Sequence, residues 1–470
     1  MKNLIYVVVV LFSLACVRNG EKKLASLGEA KTVKTKVGPP MGWNSWDAFG
    51  FLLTEDSLYK AVDFMSSSLK DYGYDYIVVD MGWYYPLSFG NNDGVSVINP
   101  PQRIDQFGRL LPDTIKFPSA VGDNGLKSIG DYIHSKGLKF GLHIMRGIPW
   151  NAFSENTRIL GTKYFAQDIA NPTDTCEWNH SMYGVNPDHE AGIEYYRSLI
   201  ALYESWGVDF IKIDDMARPY HKGELEIFSK ALKESKRDIF LSLSPGKAPV
   251  EEAEHLSRYA NQWRISNDVW DHWRLVKRQF EYCRDWYPHI QDNHWPDADM
   301  LPLGKLRLTG ADEWVASLIQ ADYADVKDEY CRLLPKEQYT LMNLWSIFRS
   351  PMFFGGYPPH NDSLTTALLT NNEVIELDQL SESNEEISFQ DSVSVWFAKH
   401  YKKDRRYIAV FNISEEEKRF EFPDSLKQEK IIATNIWTRV EKAMNEPISL
   451  SPHESVLYCL DNKDSRLVLK

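Results

Sequence analysis

Val208-Asp209-Phe210-Ile211-Lys212-Ile213-Asp214-Asp215-Met216 decides the fold. Residues 208–213 are rich in β-branched and aromatic side chains, read as a short buried strand, and stop at two carboxylates. Side chains alternate along a strand, so Lys212 and Asp214 share one side while Ile213 and Asp215 take the other. That places a cation beside Asp214 and predicts an ionised carboxylate there at neutral pH. The alternative is that Asp214 or Asp215 caps the next helix.

Similar runs recur on both sides: 41–46, 76–80, 140–144, 239–243, 261–266 and 351–354. Between them lie amphipathic helix patterns such as 126–136, ended by Gly137, and 193–206, ended by Gly207. Strand and helix alternating in this way predict an α/β fold, a closed (β/α)8 TIM barrel over residues 37–380. In such barrels the chemistry sits where the strands end. The polar strand ends are Asp80, His143 with Arg146, Asp214, Ser244 and Asp268, a largely acidic ring. From 381 to 470 the pattern changes to short alternating runs at 387–401, 407–413, 420–422, 431–440 and 448–460. These predict a C-terminal antiparallel β-sandwich domain that packs on the barrel.

The N-terminus carries Lys2 and an apolar run over 4–14, too short to span a bilayer and of the form of a secretory signal. Phe12-Ser13-Leu14-Ala15-Cys16 resembles a bacterial lipobox, so the expectation is export to the periplasm or cell envelope with a lipid on Cys16. Ordinary cleavage after Ala15 is the alternative. Residues 17–36 read as a polar tether. A formal charge of -13 without basic runs excludes a nucleic-acid partner. Cysteines at 16, 176, 283, 331 and 459 form no CxxC and no metal spacing, and no second ligand is spaced to match His143. No metal and no cofactor is expected. Fifteen tryptophans supply core area, and tryptophan also stacks on sugar faces.

Several pieces, in order, resemble glycoside hydrolase family 27, the α-galactosidase group, which shares a clan with family 36. They are GPPMGWNSW at 38–46, GRLLPDTIKFP at 108–118, HSKGLKFGL at 134–142, WPDADML at 295–301, LWSIFRSPMFFGG at 344–356 leading to TNNEVI, and NIWT at 435–438. The resemblance covers about residues 36–460. It implies a retaining glycosidase with two aspartates and a carbohydrate substrate. The family's nucleophile motif falls on Lys212-Ile213-Asp214, so Asp214 is expected as nucleophile over Asp215. The Trp-Arg-x-x-x-Asp motif falls on residues 263–268, so Asp268 is expected as acid/base over Asp271. One carboxylate must stay anionic to attack the anomeric carbon and one protonated to release the leaving oxygen, about 5 to 5.5 Å apart for retention.

The remaining expected sugar contacts are Trp46, Asp80, Met81, His143, Lys212, Ser244 and Arg264. Asp80 matches the first of two adjacent acids with which the family grips the galactose 4- and 6-hydroxyls; the second is Met81 here, a thioether with no carboxylate acceptor. His143 stands where a tyrosine is usual. Arg264 is expected on a sugar hydroxyl or on a structural acid. The connection 147–189, with Trp150, Phe153, Tyr164, Phe165, Trp178 and Tyr183, is expected to wall glycan subsites, or else to contact a second copy in a homo-oligomer. The leading expectation is release of terminal α-linked galactose from oligo- or polysaccharides. The alternatives are a sister specificity (α-glucan, α-N-acetylgalactosaminide or β-L-arabinopyranoside) and a non-catalytic sugar-binding lipoprotein.

Overall fold

Eight parallel strands form one curled sheet: β1 (Met41–Asn44), β2 (Tyr76–Val79), β3 (Lys139–Met145), β4 (Phe210–Asp214), β5 (Phe240–Leu243), β6 (Gln262–Arg264), β7 (Trp295–Asp297) and β8 (Met352–Phe354). The computed structural model describes residues 37–87, 102–310, 313–319, 329–422 and 432–461. The signal, the lipobox cysteine and the tether lie outside the described residues.

Neighbours pair in chain order from β1 to β7, and β8 pairs with β1. The ring closes through a parallel bridge between Leu301, just past β7, and Phe354, where Leu301 N–H donates to Phe353 O at 2.7 Å. A TIM barrel is therefore present, as the alternation predicted. The strand that the alternation did not reveal is β7: three residues with Pro296 in the middle give no period to read. Residue 46 is not strand, as expected from the run 41–46, but opens the helix Trp46–Phe49. Two of the helices are Lys127–Ser135 and Glu190–Ser205, and each is followed by its predicted glycine in the left-handed region, Gly137 (φ 71°) and Gly207 (φ 83°).

Residues 147–189 are not an open loop. They fold into the helix Trp150–Glu155 and a three-stranded sheet of Ile148–Pro149, Met182–Val185 and Ala170–Thr175, beside the strand-end face.

Antiparallel strands begin at Ser381. Six build one sheet, and Lys418–Phe420 pairs with Ile448–Leu450 as a second. The run read as 387–401 is a hairpin, Ser381–Gln390 and Val393–His400, turned at Asp391 and Ser392, both at positive φ. Alternation then assigns the two faces. Val393, Val395, Ile408 and Val410 meet Phe422, Ile448 and Leu450, whereas Trp396, Ala398, Tyr407, Ala409 and Phe411 join the barrel core. The element beneath them is the helix Pro335–Phe348, which is buried on nearly every side from Glu337 onward although Glu337, Gln338, Thr340, Asn343 and Ser346 are polar. Thr340 Oγ1 and Asn343 Nδ2 donate to Ser455 Oγ, both at 2.8 Å, which satisfies the polar groups at this contact. Among the described residues, no helix is long and apolar enough to cross a membrane.

Candidate active site

Parallel pairing of β3 with β4 sets His143 opposite Lys212 and Met145 opposite Asp214. Alternation then turns His143, Lys212 and Asp214 inward at the strand-end face, where Asp80 follows β2 and Ser244 follows β5. The result is one polar cluster.

Asp80 Oδ2 accepts from Lys212 Nζ at 2.8 Å and from Asn44 Nδ2 at 2.6 Å, and Oδ1 accepts from the Met81 N–H at 2.7 Å. Burial would raise this carboxyl, but Lys212 first and then His143 hold it well below the usual carboxylate range. The expected pairing of Lys212 with Asp214 is thus corrected: Lys212 reaches the neighbouring strand and binds Asp80. Asp214 has its own partners. His143 Nε2 lies 3.2 Å from Oδ2, and Ser244 Oγ donates to Oδ1 at 3.0 Å. Burial raises Asp214, and His143, by hydrogen bond and through space, together with Lys212 turns this into a net depression. The Asp214 carboxyl is held below its ordinary value as predicted, by His143 first and by Lys212 through space, while Lys212 makes its direct contact with Asp80. His143 is fully buried with Nε2 facing Asp214, and its Nδ1 finds no partner among the described residues. Ser244, expected on the sugar, is engaged with Asp214.

Arg264 ends β6 and lies between two acids, with Nη2 3.2 Å from Asp268 Oδ1 and Nη1 2.6 Å from Asp299 Oδ1. Of the two outcomes expected for it, the acid contact is the one observed. Trp46 is half-buried, edge-on to Phe51, with its backbone N–H donating to Asn44 Oδ1 at 2.9 Å.

Exposure separates the four candidate aspartates. The Asp214 and Asp268 side chains are 15% and 32% exposed, against 3% for Asp215 and 0% for Asp271, so only the first pair is open to a substrate. Asp215 sits at φ 61° with Arg146 on both its carbonyl oxygen and its carboxylate, at 3.1 and 2.9 Å, while burial pushes its carboxyl up to about 6 against Arg146. The backbone N–H of Arg146 donates to Asp214 O at 2.9 Å, so main chain and guanidinium together fix the turn after β4. Asp271 accepts both arms of Arg307 at 2.8 and 2.9 Å, wholly buried. Asp271→Ala leaves that guanidinium with Glu329 at 3.1 Å in place of its bidentate partner and is expected to cost about 3 kcal/mol of stability, read as a lower urea midpoint, without removing the chemistry. An unchanged midpoint contradicts this.

Asp174, His221 and Glu224 lie close enough together to hold a cation. Their centre is taken: Arg146 Nη2 lies 2.8 Å from Asp174 and Nη1 2.8 Å from Glu224. The segment 147–189 reaches the pocket through Asn179, whose Nδ2 lies 3.1 Å from Tyr85 OH and 3.8 Å from Met81 Sδ. Next to it Trp178 is 45% exposed.

Sequence reading missed Asn44, Asn179 and Asp299 as members of this site. Asn44 and Asp299 lie inside quoted motifs, GWNSW and WPDADML, where a role for each residue could have been asked; nothing near Asn179 signals its return to the pocket.

A family model described as "Alpha galactosidase A" matches residues 186–321. "Alpha-galactosidase 2" of Arabidopsis thaliana is 26% identical over 80% of this chain and 76% of its own length. A family 27 β-L-arabinopyranosidase from Geobacillus stearothermophilus, also solved as a variant with arabinose, is 39% identical over 91% of this chain and 97% of its own, with a TM-score of 0.84. A Bacillus halodurans protein assigned as an α-N-acetylgalactosaminidase is 38% identical over 91% of this chain and 100% of its own, with a TM-score of 0.79. Identity of this extent across nearly the whole chain, on the same barrel, makes the protein a member of glycoside hydrolase family 27.

Proposed function

We propose that the protein is a retaining exo-glycosidase that releases terminal β-L-arabinopyranose, with Asp214 as nucleophile and Asp268 as acid/base. The observation that carries the sugar assignment is Met81. L-Arabinopyranose repeats the D-galactopyranose ring hydroxyl for hydroxyl, with hydrogen in place of the hydroxymethyl group, and a β-L linkage matches an α-D linkage in space. A pocket that keeps Asp80 for the 4-hydroxyl but presents a buried thioether where the 6-hydroxyl would be gripped suits the smaller sugar. The activity of the Geobacillus stearothermophilus relative agrees with this.

Asp214, depressed and oriented by His143 and Ser244, attacks the anomeric carbon as Asp268 protonates the departing oxygen; Asp268 then takes a proton from the water that releases the sugar. Export with lipidation of Cys16 is part of the proposal and rests on residues 1–16.

Terminal α-D-galactose is the second reading, favoured by the retained Asp80–Lys212 pair and by the plant relative's activity. Nitrophenyl β-L-arabinopyranoside, α-D-galactoside, α-N-acetylgalactosaminide and α-D-glucoside, compared by kcat/KM, decide. The arabinopyranoside is expected to lead; a lead for any other sugar overturns the assignment, and silence on all four favours a sugar-binding protein. Met81→Asp is expected to raise the galactoside to arabinopyranoside ratio by roughly 10- to 100-fold, the worth of a hydroxyl bonded to a charged acceptor. An unchanged ratio removes Met81 from the recognition of the sugar.

A further inference from the structure

A cation beside the general acid poses a chemical problem. The acid must carry a proton, and Arg264 at 3.2 Å favours losing it. The arginine, however, is shared. Its Nη1 lies 2.6 Å from Asp299 Oδ1, closer than Nη2 lies to Asp268. The other oxygen, Oδ2, accepts at 2.6 Å from the N–H of Val269, the residue after Asp268. Asp299 is itself rigidly held. Its φ of 90° is one that a residue with a side chain rarely adopts, and it is kept there by a bond from its N–H to Asp297 Oδ1 at 2.8 Å and by Trp345 Nε1 donating to its carbonyl at 2.8 Å.

We propose that Asp299 is a positioning residue for the acid/base step: it takes up the charge of Arg264 and fixes the peptide after Asp268, so that Asp268 keeps its proton where an unshared arginine would strip it. The inference rests on Asp268 being the acid/base.

The charged groups around Asp299 come from four elements. Arg264 ends β6, Asp268 lies in the loop beyond it, Asp297 ends β7, and Asp47 lies in the helix after β1; Lys212 of β4 acts on Asp47 and Asp297. Burial raises the Asp299 carboxyl, Arg264 lowers it, and Asp268 and Asp297 raise it again, leaving it at about 7. The ionised form of Asp299 is the one that offsets Arg264. Its charge then acts twice in the same direction, by offsetting Arg264 and by opposing a second negative charge on Asp268.

The test is the pH profile of kcat/KM on an alkyl glycoside of the preferred sugar, whose leaving oxygen needs the proton, for the wild-type protein, Asp299→Asn, Arg264→Gln and Asp268→Ala. The alkaline limb is expected to move down by about one pH unit in Asp299→Asn, and up by a similar amount in Arg264→Gln. A loss of packing alone lowers the rate at every pH without moving the limb. An unmoved limb in folded Asp299→Asn, whatever its rate, overturns the proposal. Should Asp299→Asn fail to fold, Arg264→Gln decides, and a limb that stays or moves down overturns it. Asp268→Ala is expected to lack the limb; if the limb persists there, the acid/base assignment falls and the role of Asp299 with it.

Discussion

Asp214→Ala is expected to lower kcat by about four orders of magnitude or more while the protein stays folded. A nucleophile that splits displacement into two steps has no substitute when removed. Folding survives because Asp214 makes its side-chain bonds to His143 and Ser244 at an open strand end, not within the core. Added azide should restore turnover from the face opposite the leaving group, giving a glycosyl azide of inverted configuration. Asp215→Asn is the control. Its carboxylate faces Arg146, which keeps Asp174 and Glu224, so turnover should persist within about tenfold while stability falls. A dead, well-folded Asp215→Asn alongside an active Asp214→Ala reverses the assignment. The depressed Asp214 carboxyl also sets the sign of the acid limb: attack needs the anion, so kcat/KM should hold as pH falls to below the ordinary aspartate value of about 3.9.

Asp268→Ala has the second largest expected effect, and it depends on the leaving group. With an alkyl or sugar leaving group, loss of the proton donor should cost roughly 10²–10⁴-fold in kcat/KM, whereas a nitrophenolate, which departs without a proton, should be affected much less at that step. The second step still lacks its base. A burst of nitrophenol followed by slow turnover is therefore expected, and azide should speed it, here with retention of configuration, because attack falls on the glycosyl-enzyme. Equal losses for good and poor leaving groups would place the acid elsewhere.

How much of this could be read from the chain differs between elements for physical reasons. Barrel strands buried on both faces, such as Phe210–Asp214, announce themselves as apolar runs, and helices ending at Gly137 and Gly207 have a local stop signal. Trp295–Asp297 is too short for any period, and its strand character comes from pairing with residues 262–264. The hairpin at Asp391 and Ser392 reads as one run in sequence because neither turn residue is glycine, although both lie at positive φ.

Within the site, residue types and strand ends were legible and pairings were not. Alternation put Lys212 and Asp214 on one side correctly. It says nothing about the adjacent strand, and Lys212 is long enough to choose Asp80, 132 positions away. The same holds for Asp299, which meets Arg264 only because β6 and β7 are neighbours, and for Asn179, which returns to Met81 from a segment with its own sheet. Long-range partners of this kind follow from the closed ring and not from local spacing.

The nucleophile is identified most directly by one covalent bond. The measurement is mass spectrometry of peptides from protein inactivated by a slow fluorinated glycosyl fluoride of the preferred sugar, which lets the glycosyl-enzyme accumulate. A single glycosyl ester is expected on Asp214, and Asp214→Ala prevents its formation. An ester on Asp215 or any other residue, or an inverted first product with no adduct, contradicts this assignment.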